Sequence, residues 1–280
     1  MGLGADGTPT ERLDRAAERA LFAVMAQLGL EWDVFSEECG FVPHKRILAL
    51  GADACTGGMG TEDRSFQQDG IPSDPAGEDR APLLVVDPVD GTLNASRRIP
   101  IYTTSLALVP PGGTLRDVES GIVLNLATGN LYVAQRGEGA WVWRRAWEEG
   151  PERIRTRPYR EGDAMATVYF GRGRDRSGDR AETARRLCGG CKRTRSLGCA
   201  SLELCLVAAG SFDLFVQTQP LRITDIAAGA LIVWEAGGEL YDTGLSPLEM
   251  RVSLDRVDRR GVVALGDPSA LDGFRKRTGG

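Results

Sequence analysis

The chain has 280 residues, a formal net charge of −5 and a pI near 5.2, so it can bury one large core or two lobes but lacks a basic face for nucleic acid. A single histidine, His44, excludes histidine-rich metal clusters and argues against a Ser-His-Asp hydrolase, which leaves carboxylates, hydroxyls, arginines and metal ions for chemistry. No apolar run approaches the roughly 20 residues that span a bilayer, and no signal peptide precedes the first helix, so we expect a soluble, cytoplasmic protein without a membrane partner.

An amphipathic helix is predicted over Glu11–Leu28. Its apolar residues recur at helical spacing and form one face, while Asp14 and Glu18 lie together on a polar face. The apolar positions are Leu13, Ala16, Ala17, Ala20, Leu21, Val24 and Leu28. A short strand, Asp33–Phe35, comes next. Residues 43–82 then become rich in Gly, Asp, Ser and Pro with little periodicity, and we expect them to be a mobile insertion.

Short strand signals then follow one another closely, which favours a mixed, largely antiparallel sheet. They lie at Leu83–Val86, Tyr102–Val109, Gly121–Asn125, Leu131–Ala134 and Ala140–Trp143. A polar, arginine-rich stretch at Pro151–Gly162 predicts a boundary between an N-terminal lobe, 1–155, and a smaller α/β C-terminal lobe, 156–280.

Helices and strands alternate in the second half of the chain. Strands are predicted at Ala166–Phe170, just before Gly198, at Phe212–Val216 and at Gly261–Leu265. Helices are predicted at Glu182–Leu187, Ser201–Ala208 and Asp225–Glu235, with a short helix at the end of the chain. Mixed sheets layered with helices are the expected architecture.

The run Leu84–Asn94 is the most informative stretch. An apolar strand ends in two carboxylates, Asp87 and Asp90, and the pair Gly91-Thr92 can then open a helix. Carboxylates at a strand end gather hard divalent cations, and the unpaired N–H groups at a helix start gather phosphate. The segment therefore predicts a metal-dependent phosphatase site, for which Asp225 supplies a distant partner.

Two motifs, Asp87-Pro-Val-Asp-Gly-Thr-Leu-Asn94 and Thr224-Asp-Ile-Ala-Ala-Gly229, resemble the signatures of the inositol monophosphatase superfamily. Supporting stretches occur in family order and look most like the archaeal inositol-1-monophosphatase/fructose-1,6-bisphosphatase branch. They are Gly4–Thr10 with Asp14, Ser36–Glu38, Asn125–Gly129 and Ser196–Ser201. The resemblance implies the layered α/β/α/β/α sugar-phosphatase fold, an α+β architecture. A haloacid dehalogenase is excluded because Pro88 occupies the position of its nucleophile.

The resemblance also implies a metal centre of two or three Mg²⁺ ions, for which Mn²⁺ can substitute. Asp87 would bridge two ions, with Asp90 and Asp225 completing one coordination shell. Glu37 and the carbonyl oxygen of Val89 would complete the other. Two such cations stabilise the attacking and leaving oxygens of an in-line displacement by a metal-activated water.

Phosphate and water contacts follow from the same resemblance. Gly91 and Thr92 would present backbone N–H groups to the phosphate, and the Thr92 hydroxyl, paired with the carboxylate of Asp14, would orient the nucleophilic water. Glu37 could be the general base instead, and the sequence leaves both candidates open.

Substrate contacts are expected on the C-terminal lobe. The turn that meets the sugar ring in this superfamily corresponds to Gly198, Cys199 and Ala200. Arg195 and Arg222 match arginines that lie near the bisphosphate in the archaeal branch, and the planar guanidinium fork suits phosphate. Gln217 stands where relatives often have a carboxylate that touches a sugar hydroxyl, which weakens the case for inositol specificity.

We therefore expect a Mg²⁺-dependent phosphomonoesterase for small sugar or polyol phosphates, with inositol 1-phosphate and fructose 1,6-bisphosphate foremost. The alternatives are a 3′-phosphoadenosine 5′-phosphate phosphatase and a catalytically silent regulatory protein that binds metal or sugar phosphate. By resemblance, the protein is expected to form a homodimer or homotetramer.

Overall fold

The computed structural model describes residues 2–3, 9–10, 12–54, 81–145, 148–169, 179–252 and 258–278. Its helices are α1 (Arg12–Leu28), α2 (His44–Leu50), α3 (Thr92–Ser96), α4 (Asp179–Leu187), α5 (Ala200–Ala208), α6 (Ile223–Ala236) and α7 (Leu271–Thr278). Short 3₁₀ turns lie at Gly51–Asp53, Leu115–Asp117 and Pro268–Ala270. None of these helices is both long enough and apolar enough to cross a bilayer.

The larger sheet has eight strands, and a two-residue ladder of β1 (Gly2–Leu3) and β2 (Pro9–Thr10) precedes it. Its strands are β3 (Asp33–Ser36), β4 (Gly40–Val42), β5 (Leu83–Asp90), β6 (Thr103–Val109), β7 (Ser120–Asn125), β8 (Leu131–Gln135), β9 (Gly139–Trp143) and β10 (Glu152–Ile154). They lie in the order β10-β9-β8-β7-β6-β5-β3-β4. Every pair is antiparallel except β3 with β5, which run parallel and so end at the same edge of the sheet.

The second sheet has five strands in the order β12-β11-β13-β15-β14. They are β11 (Met165–Tyr169), β12 (Arg193–Arg195), β13 (Leu214–Arg222), β14 (Glu239–Asp242) and β15 (Arg259–Leu265). Strand β11 runs parallel to both of its neighbours, and the remaining pairs are antiparallel. The sequence had predicted all of these strands except β14.

Five layers result from burying both faces of both sheets. Helices α1 and α2 cover the outer face of the large sheet with Phe22, Met25 and Ile47. Helices α5 and α6 share the largest apolar cluster with strands of both sheets and therefore form the middle layer. Helices α4 and α7 cover the outer face of the second sheet with Leu187 and Phe274. This α/β/α/β/α order confirms the predicted fold.

Glycine allows the middle layer to pack closely. A Cβ on Gly121 of β7 would lie 2.9 Å from the carbonyl oxygen of Ala228 in α6, and a Cβ on Gly229 would lie 2.7 Å from Leu204 Cδ1 in α5. Helix α6 is apolar on nearly every side, as expected for a helix buried between two sheets. This close packing holds α6 against β7 of the large sheet on one side and against α5 on the other.

The predicted orientation of α1 is wrong. Asp14 and Glu18 are only 4% and 2% exposed, whereas Leu13, Val24 and Leu28 are 41%, 50% and 65% exposed. The acidic side of the helix faces the sheet because Glu18 accepts hydrogen bonds from the Ser36 hydroxyl at the end of β3 and from the Cys39 N–H in the turn that follows. Helical periodicity alone had placed the two acids with the polar face.

The predicted insertion, 43–82, is helical where it begins. Helix α2 follows β4, and its Ile47 is completely buried, so this first part belongs to the fold. Residues 55–80 of that segment lie outside the described residues. Strand β10 lies within the stretch 151–162 and closes the large sheet on the side of β9, which the sequence did not predict.

Candidate metal and phosphate site

The end of β5 is the centre of the site. Because β3 and β5 are parallel, the chain leaves β3 at the same edge where β5 reaches its acidic residues, and the Glu37 N–H donates to the Val86 carbonyl at 3.1 Å. Asp87 is 3% exposed. Glu37 and Asp87, which are 50 positions apart in sequence number, therefore lie side by side.

Helix α6 brings the third carboxylate. Asp225 lies in its first turn, where Asp225 Oδ2 accepts from the backbone N–H of Arg222 at 2.9 Å and Oδ1 accepts from the Thr224 hydroxyl at 3.1 Å. One carboxylate oxygen each from Glu37, Asp87 and Asp225 lies within 4.8 Å of the others. This group of three carboxylates, the acidic cluster below, can hold a metal ion.

Burial raises the pKa of every member of the cluster, and repulsion between carboxylates adds to this effect at Glu37 and Asp87. Burial, and then repulsion from Glu37, hold the pKa of Asp87 well above its usual range. Burial and the neighbouring Asp225 raise the pKa of Glu37 to about 8, although the Arg222 guanidinium, 2.9 Å away, opposes that rise. Two guanidinium groups, those of Arg222 and Arg259, act on the cluster but do not balance three carboxylates. The cluster therefore favours bound cations, and its oxygen donors suit hard ions such as Mg²⁺.

Asp90 has a different environment. Its Oδ2 accepts from both the backbone N–H and the hydroxyl of Ser201, each at 2.7 Å, while Cys199 Sγ lies 3.4 Å away. Ser201 is in the first turn of α5, so the Asp90 carboxylate caps a helix of the middle layer. These hydrogen bonds oppose the effect of burial, and the pKa of Asp90 rises only to about 6.

In the Gly-Thr pair that follows Asp90, the glycine has a backbone conformation that side chains disfavour, and neighbouring atoms leave no room for a Cβ. Gly91 has φ of +86°, and a Cβ there would lie 2.8 Å from the Ile101 carbonyl oxygen and 3.3 Å from Cys199 Cβ. Helix α3 begins at Thr92, as the sequence predicted. The Thr92 hydroxyl donates to the Val89 carbonyl at 2.8 Å and lies 3.4 Å from Asp14 Oδ1.

Glu18 is a buried acid whose contacts sequence reasoning missed. It accepts hydrogen bonds from the Ser36 hydroxyl and from the Cys39 N–H, the latter at 3.1 Å, so it supports the loop that carries Glu37. Burial raises its pKa to about 7. Its spacing of one helical turn from Asp14 was the available signal, because both acids then face the same side of α1.

Hydrogen bonds with two side chains, those of Asn94 and Glu203, hold the turn before α5. Gly198 has φ of +74°, and the Asn94 amide donates to the Leu197 carbonyl at 2.8 Å. The buried Glu203 accepts from the N–H groups of Leu197 and Cys199, at 3.1 and 3.3 Å. The structure thus brings the predicted residues Gly198, Cys199 and Ala200 beside Gly91, and sequence reasoning missed the supporting Glu203.

The two predicted substrate arginines differ in their contacts. Arg222 is paired with Glu37 at the cluster. Arg195 is exposed on β12, and its guanidinium donates to its neighbour's carbonyl, Thr194 O, at 2.9 Å. Gln217, which stands where relatives often have a carboxylate, is 7% exposed on β13.

Residues 4–273 match the model of the Inositol monophosphatase family. A Methanothermobacter thermautotrophicus protein named fructose-1,6-bisphosphatase/inositol-1-monophosphatase is 35% identical over 264 residues, which cover 90% of this chain and 80% of that protein. A Methanococcus maripaludis protein named bifunctional NADP phosphatase/NAD kinase is 29% identical over 255 residues, 86% of this chain and 38% of that protein. The structure of the extragenic suppressor protein suhB from Bartonella henselae has the same fold, with a TM-score of 0.70 at 24% identity and coverage of 99% of this chain and 86% of that one.

Proposed function

The chain belongs to the inositol monophosphatase family, and from that premise we propose that it is a Mg²⁺-dependent phosphomonoesterase that hydrolyses small sugar or polyol phosphates. Inositol 1-phosphate and fructose 1,6-bisphosphate are the foremost substrates, since both occur in the name of the relative from Methanothermobacter thermautotrophicus. The observation that carries the proposal is the acidic cluster of Glu37, Asp87 and Asp225 at the end of β5.

The cluster would hold the divalent cations together with Asp90 and the Val89 carbonyl oxygen. All of these donors are hard oxygens, and the raised pKa values of Glu37 and Asp87 follow first from burial and then from repulsion by neighbouring carboxylates. When bound, the cations would neutralise this charge and stabilise the attacking and leaving oxygens of phosphoryl transfer.

The first turn of α3 would hold the phosphate. Gly91 permits close approach of the backbone, and the N–H groups at the start of a helix are unpaired donors. The Thr92 hydroxyl has one proton, which it donates to Val89 O, so its oxygen can accept a hydrogen bond from a water molecule and orient it. Asp14, 3.4 Å from that hydroxyl, would orient it, whereas Glu37 is the competing candidate for the base.

The turn of Gly198, Cys199 and Ala200 would meet the sugar ring, because Cys199 of this turn lies beside Gly91. Arg222 and Arg195 would bind the second phosphate of a bisphosphate. Arg222→Ala should then reduce turnover of fructose 1,6-bisphosphate more than that of inositol 1-phosphate. An equal loss on both substrates would remove this role from Arg222.

A nucleotide phosphomonoester is the second candidate substrate. The relative from Methanococcus maripaludis is named an NADP phosphatase, and a 3′-phosphoadenosine 5′-phosphate phosphatase would use the same ligands. The shared metal ligands do not separate the two classes, so the substrate assay must include both.

Phosphate release from a substrate panel tests the proposal. The purified protein would be assayed with Mg²⁺, with Mn²⁺ and with a chelator on inositol 1-phosphate, fructose 1,6-bisphosphate, NADP and 3′-phosphoadenosine 5′-phosphate. We expect metal-dependent release that is fastest on the sugar or polyol phosphates. Faster release from a nucleotide would reverse the order of candidates, and metal binding without release from any substrate would indicate a silent regulatory protein.

A further inference from the structure

A chain of buried hydroxyls leads from the large sheet to Asp90. Thr103 of β6 is completely buried, and its Oγ1 lies 2.6 Å from the hydroxyl oxygen of Ser201. The Ser201 hydroxyl, also completely buried, lies 2.7 Å from Asp90 Oδ2. Thr103 and Asp90 are paired with each other across the β5–β6 ladder, and Ser201 from α5 contacts both of them.

Chemistry determines the direction of these hydrogen bonds. An ionised carboxylate only accepts, so the Ser201 hydroxyl must give its proton to Asp90. The Thr103 hydroxyl must then give its proton to Ser201. The Ser201 hydroxyl and the Ser201 N–H both donate short hydrogen bonds to Asp90 Oδ2. Among the described residues, no hydrogen bond is donated to Asp90 Oδ1. Asp90 Oδ1 is thereby the oxygen that stays available to a cation.

We propose that Ser201 is a positioning residue that orients Asp90 for metal binding, with Thr103 fixing the direction of the Ser201 hydroxyl. The inference rests on the proposed function, since it takes Asp90 as a metal ligand. Asp90 and Ser201 are 111 residues apart and belong to different layers, so the second half of the chain controls the geometry of a ligand in the first. Partners that orient a ligand commonly contribute 10- to 100-fold to metal affinity.

The test is a Mn²⁺ titration of the full chain, with free Mn²⁺ followed by electron paramagnetic resonance. Ser201→Ala removes the hydroxyl that donates to Asp90. Thr103→Val removes the hydroxyl that donates to Ser201 with little change of shape, whereas Thr103→Ser retains that hydroxyl. The control is Thr156→Val, which removes a hydroxyl that bonds to the Ala236 carbonyl away from the site.

We expect Ser201→Ala to weaken the binding of one Mn²⁺ by about tenfold. Thr103→Val should weaken it by a smaller factor, and both Thr103→Ser and Thr156→Val should bind like the wild type. In turnover assays, the Mg²⁺ concentration for half-maximal rate should rise in Ser201→Ala, while kcat at saturating Mg²⁺ stays within about threefold.

Unchanged Mn²⁺ affinity in Ser201→Ala would overturn the inference, as would a loss of kcat with no change in metal dependence, which indicates a purely structural role. If Ser201→Ala does not fold, the Mn²⁺ affinities of Thr103→Val and Thr103→Ser are compared. Equal affinities of these two variants would then overturn the inference. Wild-type protein that binds no Mn²⁺ would instead refute the metal site of the proposed function. The two failures are therefore distinguishable.

Discussion

Asp87 and Asp90 end the same strand only three residues apart, yet their surroundings are opposite. Asp87 lies among like charges from Glu37 and Asp225, and its pKa is well above the usual range. Asp90 points toward α5, where two hydrogen bonds from Ser201 limit the rise of its pKa to about 6. One corner of the site thus depends on cations for its charge balance, while the other is already stabilised by the protein.

This difference in surroundings indicates that Asp87 and Asp90 have different roles, although they belong to the same motif. Repulsion from Glu37 and the other neighbouring carboxylates adds to the free energy that is gained when a cation binds beside Asp87. A carboxylate saturated at one oxygen has a fixed orientation, which improves the geometry of its other oxygen. Four tests of this contrast differ in the size of the effect that we expect, and substitution of a metal ligand should have the strongest.

The most direct test compares Asp87→Asn with Asp90→Asn. Each should lower turnover by about a thousandfold, which is about 4 kcal/mol of barrier, because each removes a metal ligand and little volume. In chelator, Asp87→Asn should raise the melting temperature more than Asp90→Asn, since it relieves repulsion within the cluster. Turnover and thermal unfolding would be measured on both proteins. Wild-type rates in Asp90→Asn would show that Asp90 has been misassigned.

Glu18 offers an acid that has hydrogen bonds, like Asp90, but lies outside the acidic cluster. Burial raises its pKa to about 7, so the folded state holds its proton more tightly than the unfolded state does. The resulting stability is fully present below about pH 4.5 and is lost as the pH rises through 7. Glu18→Gln should therefore raise the free energy of unfolding at pH 8 by up to about 3 kcal/mol, with little effect at pH 4. Urea unfolding in chelator at both pH values measures it, and an equal effect at both would contradict the assignment.

The acidic cluster predicts a pH dependence of metal binding. Glu37, with a pKa of about 8, must lose its proton before it can ligate, so metal binding releases protons. Apparent Mn²⁺ affinity should increase by up to about tenfold per pH unit between pH 6.5 and 8. Calorimetry in two buffers of different ionisation enthalpy counts the protons released. Binding that is independent of pH and of buffer would show that the cluster is already ionised.

Arg222 should weaken cation binding slightly, because its positive charge lies 2.9 Å from Glu37. Arg222→Gln is expected to tighten Mn²⁺ binding by about threefold and to lower the melting temperature of the metal-free protein. Arg195→Gln removes the same charge from an exposed position and serves as the matched control. Equal effects of the two variants would point to net charge rather than to the contact with Glu37.

Much of the fold could be predicted from local sequence. The alternation of short strands before residue 144 and of strands with helices after 165 indicated the two sheets. Each predicted strand is present, although β13 continues to Arg222, six residues beyond the predicted end at Val216. The face of α1 could not be predicted, because periodicity assigns Asp14 and Glu18 to solvent unless their partners are known. Strand β14 also escaped prediction, since only its partner β15 reveals it.

For the site, local sequence was enough to identify two carboxylates after an apolar strand, a Gly-Thr pair and a distant aspartate at a helix start. These features are local, and they lie within the motifs that resemble the family signatures. The packing of strands and helices was needed to show that Glu37 and Asp225 lie beside Asp87, and that one oxygen of Asp90 accepts hydrogen bonds from Ser201. Strand pairing and helix packing bring together residues as far apart in the sequence as Glu37 and Asp225, which are 188 positions apart, and no local pattern records such a contact.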